Sequence, residues 1–172
     1  MKNIFIIITF FLLQINIVTA NTNVAFIDMD KIVSTSKPGL LLIKQLSEIN
    51  KKYSKKFSND ANNLKKQETT LISQKNILSE KDFQLKVNNL KSKVKVFNEN
   101  RNKTNNEFNK LKIDSTNKLI KLINPILIKY SDEKLISMIF QKKYLIIGNT
   151  EHDITDEIIK IINKDVRNFK IQ

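Results

Sequence analysis

Few side chains in this chain have the types and spacing that chemistry needs. His152 is the only histidine and cysteine is absent, so neither a zinc site nor a histidine-activated nucleophile has enough members to assemble. His152 reads as an ordinary solvent-facing histidine. Asp28 and Asp30 flank Met29 and resemble a carboxylate pair for acid and base work. At the end of an apolar run, with Asp30 ahead of a helical turn, a helix cap accounts for them better. Gly39 and Gly148 are the only glycines, which leaves no Gly-rich loop to cradle a phosphate. The sequence therefore predicts no enzyme, no metal and no cofactor.

What the side chains can do is attract opposite charge. The chain carries 30 Lys and Arg against 17 Asp and Glu, a formal +13, and 17 of the basic but only 7 of the acidic residues lie between Lys51 and Lys118. The densest group is Lys91, Lys93, Lys95, Arg101 and Lys103. A charge run on a helix is often only its solvated face. The functional reading is that these cations steer acidic clients or anionic lipid headgroups through many weak, salt-screened contacts.

The N-terminus points to where such contacts take place. "MKNIFIIITFFLLQINIVTA" has one cation at Lys2, an apolar stretch over 4–13, and Val18 and Ala20 before a cut, the pattern of a secretory signal peptide. Gln14 and Asn16 break the stretch short of the roughly 20 apolar residues a spanning helix needs. Cleavage after Ala20 leaves an exported, soluble protein, expected in the periplasm. That location argues against nucleic acid as the acidic partner. Exported small domains usually rely on disulfides, so a chain with no cysteine needs another stabiliser, and oligomerisation is one.

The elements that position the cations follow from periodicity. "NVAFIDMDKIV" opens as a β-strand, Asp30 caps one helical turn, and "STSKPG" ends it in a Pro-Gly turn. From Leu40 the apolar positions Leu42, Leu46, Ile49, Tyr53, Phe57, Ala61, Leu64 and Leu71 keep three- and four-residue spacing, one long amphipathic helix. Ser79 with Asp82 forms a capping box for a second helix. There Phe83, Val87, Leu90, Val94, Phe97, Arg101, Thr104, Phe108, Leu111 and Ser115 alternate four and three, a coiled-coil seam. So short a break makes the helices antiparallel.

Pro125 is expected to interrupt and kink the second helix, within a segment apolar nearly all round. Two strand candidates follow, 134–140 and 143–149, which read as a hairpin. "DITDEIIKIINK" then closes the chain as a helix capped by Asp153 or Thr155, with Ile154, Ile158, Ile162 and Val166 on one face.

This order, with "VAFIDMDKIV" at one end and "LISMIF", "YLIIGNTEHDIT" and "DEIIKIINK" at the other, resembles the Skp/OmpH family of periplasmic chaperones. The resemblance implies a mainly α protein with a small β-body, in which a long antiparallel coiled-coil hairpin, or tentacle, is inserted between strands of a trimeric body. Its implied function is an ATP-independent holdase that keeps unfolded outer-membrane proteins from aggregating in a cavity between tentacles before their insertion. The expected organisation is a signal peptide at 1–20, body at 21–39, tentacle at 40–124, body again at 125–164 and a tail at 165–172. Val24, Phe26, Ile27, Leu135, Ile136, Met138, Ile139, Tyr144, Leu145 and Ile146 are the expected oligomer body, with a charge at Phe26 or Ile27 expected to dissociate it. A structural envelope coiled coil and an anionic-lipid surface binder are the alternatives.

Overall fold

The computed structural model describes residues 23–171; the leader expected over 1–20 lies outside the described residues. Strand β1 (Val24–Ile27) leads into helix α1 (Met29–Thr35), whose N-cap is Asp28, not Asp30. The Asp28 carboxylate accepts the Lys31 N–H at 2.9 Å, while Asp30 sits in the first turn, where its charge favours the positive helix end.

The expected Pro-Gly turn does not form. Ser36 ends α1 and also caps the next helix: its N–H donates to the Ile32 carbonyl at 3.0 Å, and its hydroxyl accepts the Gly39 N–H at 3.2 Å. Pro38 falls in the first turn of helix α2 (Lys37–Ser73), where a missing N–H costs nothing. Gly39 is required by close approach, because a Cβ there would lie 1.9 Å from the Val33 carbonyl oxygen.

After the 74–79 turn, helix α3 (Glu80–Glu133) runs for 54 residues, straight through Pro125. Proline removes one backbone bond, to the carbonyl four residues back. Here that carbonyl belongs to the exposed Lys121, so water can replace the lost donor while Leu119 and Ile123, both fully buried, hold the helix in the core. The segment is not apolar-buried all round, since Leu122 and Ile128 are exposed.

Strand β2 (Met138–Gln141) pairs in parallel with β1, Val24 opposite Met138 through Ile27 opposite Gln141. The parallel pair makes the whole helical hairpin a crossover between two strands. The second expected strand is absent. Residues 142–144 and 150–152 form single 3₁₀ turns, and 145–149 is irregular. On its other side β1 makes one parallel bridge, Phe26 to Asp153.

Helix α4 (Thr155–Asp165) closes the body. Its N-cap is Ile154, which makes no side-chain cap bond, and not the expected Asp153 or Thr155; one position earlier, the Asp153 carboxylate accepts the Thr155 N–H at 3.1 Å. The core joins Ala25 and Ile27 of β1, Ile32 of α1, Leu42 of α2, Leu119 and Ile123 of α3, and Ile154, Ile158 and Ile162 along α4. The four-residue isoleucine spacing is thus the inward stripe of α4.

Candidate functional site

Two surfaces stand out, the helical arm and one open face of the body. In the arm, partners on α3 fall in number as those on α2 rise, the mark of an antiparallel pair. Tyr53 meets Phe108 edge to face at 6.3 Å, Phe57 meets Phe97 at 6.0 Å, Gln67 accepts from the Lys93 ammonium at 2.8 Å, and Gln74 accepts from Lys86 at 3.1 Å. At about 1.5 Å per residue, α2 is on the order of 55 Å long and α3 about 80 Å. At the tip the Ser79 hydroxyl accepts the Asp82 N–H at 3.1 Å and donates to its carboxylate at 2.6 Å, so the capping pair forms.

The seam is only half-covered. Tyr53, Phe57, Leu64, Phe83, Val87, Leu90, Phe97, Thr104, Phe108 and Leu111 are half-buried, whereas Ala61, Val94 and Arg101 turn outward. A two-helix pair has one contact stripe each, so its edges stay open. One resulting cleft, of about 420 Å³, is lined by Tyr53, Phe57, Phe97, Arg101 and Phe108. A larger one near the tip, of about 560 Å³, has Leu71, Leu85 and Leu90 between Lys66, Lys86 and Lys93.

Lys91, Lys93, Lys95, Arg101 and Lys103 are all exposed on α3. At about 100° per residue they point in roughly five different directions around the helix, so the fold spreads them as a band and does not gather them on one face. Lys95 and Lys103 lie 3.9 and 4.0 Å from Glu99 and Glu107 one turn on, exposed pairs whose net effect is small.

The expected body residues divide in three. Phe26 and Ile27 are buried inside the single chain: Ile27 in the core, and Phe26 under the 142–148 segment, where a Cβ on Gly148 would lie 2.8 Å from its ring and the Lys142 ammonium sits 5.7 Å from the ring centroid. A charge at Ile27 would break the fold of the protomer itself. Val24, Ile136, Ile139 and Leu145 are half-buried. Leu135, Met138, Tyr144 and Ile146 are open, as are Phe140 and Ile147. Exposure reaches 82% at Leu135, 75% at Tyr144, 89% at Ile147 and 100% at Ile146. These residues surround β2, the outer strand of the two-stranded sheet.

Leu135 carries a further signal. It ends α3 in the left-handed region, φ 52°, with the Ile136 N–H on the Ser131 carbonyl at 2.9 Å and its own N–H on Asp132 at 3.3 Å. This is a Schellman end, at the position glycine usually takes.

An ion pair anchors the irregular segment beside this face. Lys142 lies 2.8 Å from the Asp153 carboxylate, which also accepts from the Thr155 hydroxyl. Partial burial pushes the Asp153 carboxyl up, but the hydrogen bonds from Lys142 and Thr155 prevail and hold it below the ordinary carboxylate value. The same bond raises Lys142. Lys31, 2.6 Å from Asp156, ties α1 to α4 nearby.

A feature missed in the sequence is the tail. Phe169 is buried in the core cluster and Ile171 packs on it, held by Gln45 and Lys118. The alternation of Phe169 and Ile171 around Lys170 was the available signal.

A family model described as outer membrane protein (OmpH-like) matches residues 23–162. Among solved structures, the chain is similar to that of a candidate OmpH-like outer membrane chaperone from Caulobacter crescentus, with a TM-score of 0.80, 13% identity, and coverage of 88% of this chain and 89% of that one. No curated protein sequence matches. The likeness in structure is one of fold.

Proposed function

The chain belongs to the OmpH-like family, and from that premise we propose that it is an ATP-independent holdase of the periplasm, which binds unfolded outer-membrane proteins between its arms and keeps them from aggregating before insertion. The observation that carries this reading is the arm. Its half-buried Tyr53, Phe57, Phe97 and Phe108 stand within a band of exposed cations, which suits many shallow contacts with a mobile chain. Each such contact is weak and screened by salt, so release needs no nucleotide. The cations circle the helix, an arrangement better suited to diffuse attraction than to one flat lipid-facing surface.

Assembly as a homotrimer belongs to the same reading. The open apolar face around β2 is supported as a subunit contact by Ile146 and Ile147, which gain nothing from full exposure, and by an unpaired strand edge of the kind that proteins normally cover. Leu135 adds to this. A left-handed leucine costs roughly 1–2 kcal/mol, and within one chain its exposed side chain returns little packing.

Light scattering after dilution of a urea-unfolded β-barrel membrane protein tests the proposal. Suppression of aggregation at about one trimer per client is expected, and unchanged scattering would sink it.

A further inference from the structure

The tail is bound as a strand is bound. Beyond α4, residues 167–171 have no helix or strand assignment, yet Phe169 is 3% exposed, Lys170 is exposed and Ile171 half-buried against the core. The backbone contacts come from side chains. Gln45 of α2 donates through Nε2 to the Phe169 carbonyl at 3.0 Å and accepts through Oε1 from the Ile171 N–H at 3.0 Å. One amide thus bonds the carbonyl before and the N–H after Lys170, the two groups that a residue of a parallel neighbouring strand would bond. Lys118 of α3 donates to the Lys170 carbonyl at 3.0 Å and sits 5.9 Å from the Phe169 ring centroid.

Three consecutive residues are therefore held through their backbone, which any sequence possesses. Specificity is left to two apolar positions, an aromatic favoured by the Lys118 cation and an aliphatic two residues on. We propose that the roots of α2 and α3, with α4, form a strand-binding site that the chain's own tail fills in cis, and that an extended segment of an unfolded protein with an aromatic residue followed two positions later by an aliphatic one takes its place. The site lies at the base of the arms, and the family match ends at residue 162, before the tail. The inference rests on the reading of the chain as a binder of unfolded proteins. A tethered tail competes at an effective concentration on the order of millimolar, so exchange favours segments already concentrated by the arms.

The test uses a fluorescent peptide of residues 166–172 and fluorescence anisotropy on the full chain. Phe169→Ala, which loosens the cis tail, is expected to bind the peptide at least tenfold more tightly than the wild type. An unrelated peptide with Phe and Ile two positions apart should displace it, and the same peptide with Ala for Phe should not. A folded Phe169→Ala chain that binds no more tightly than wild type overturns the proposal. If that variant does not fold, hydrogen exchange on the wild type decides: excess peptide should accelerate exchange of the Ile171 amide, and unchanged exchange overturns the inference. Aggregation suppression by the wild type without peptide exchange would remove this inference and leave the holdase reading intact.

Discussion

At the residue scale, positions of chemical promise turned out to be structural, and one ordinary-looking residue carries strain. Asp28 caps a helix, as its place between strand and turn implies, although Asp30 was the expected cap; an error of two residues is what competing acids at a helix start produce. Leu135 could not be read from sequence, because a leucine at a glycine position gives no local sign of its φ. Leu135→Gly should stabilise the dilute single chain by on the order of 0.5–1 kcal/mol, the relief of left-handed strain exceeding the added chain entropy. The same change should weaken assembly by removing an exposed leucine. Urea unfolding at low concentration, set beside the concentration dependence of sedimentation, separates the two effects.

The Lys142–Asp153 pair gives the pH behaviour at this scale. Asp153 has its folded value depressed below the ordinary 3.8, so its stabilisation is present above that value and is lost as pH falls through the lower, folded one. Lys142 is raised above 10.5, so its stabilisation is present below 10.5 and is lost as pH rises through the folded value. The pair thus acts between about 4 and 10.5. Asp153→Asn should lower the melting temperature at neutral pH by a few degrees, with the two curves converging in strong acid. A constant difference across that range would contradict the assignment.

At the element scale, the long helices, the tip and the closing helix were legible because period and caps are local signals. The Ser79–Asp82 pair and the isoleucines of α4 lie where their spacing placed them. Ser79→Ala should cost about 1 kcal/mol of arm stability, seen as faster exchange of the first amides of α3 and little change at its root. The misread elements have two causes, a local cap that resembles a turn in the first and non-local contacts in the others. Pro38 and Gly39 resemble a turn until Ser36 is seen to cap α2 over the Val33 carbonyl. Pro125 resembles an interruption until Leu119 and Ile123 before it are seen buried in the core, with Ile126 and Leu127 after it packed against that core. The apolar run over 143–149 has strand composition, but among the described residues no strand pairs with it; composition alone cannot supply a partner edge.

At the scale of the whole molecule, the first strand finds its partner more than a hundred residues downstream, and the intervening hairpin becomes an arm rooted in the core. The sequence order made this architecture legible, whereas the division of body residues into interior and open face was not, since Ile27 and Ile146 are alike in chemistry and differ only in what covers them. The tail, too, could be placed only once Gln45 and Lys118 were seen to converge on it.

Among the described residues the body face is uncovered, and under the proposed function three chains cover it and the assembly captures an unfolded client. Analytical ultracentrifugation with a fluorescent, urea-diluted β-barrel membrane protein tests this most directly. A trimeric holdase is expected to sediment alone as three copies, with the client label moving with that species in a discrete complex. A monomeric chain from which the label stays separate would contradict it.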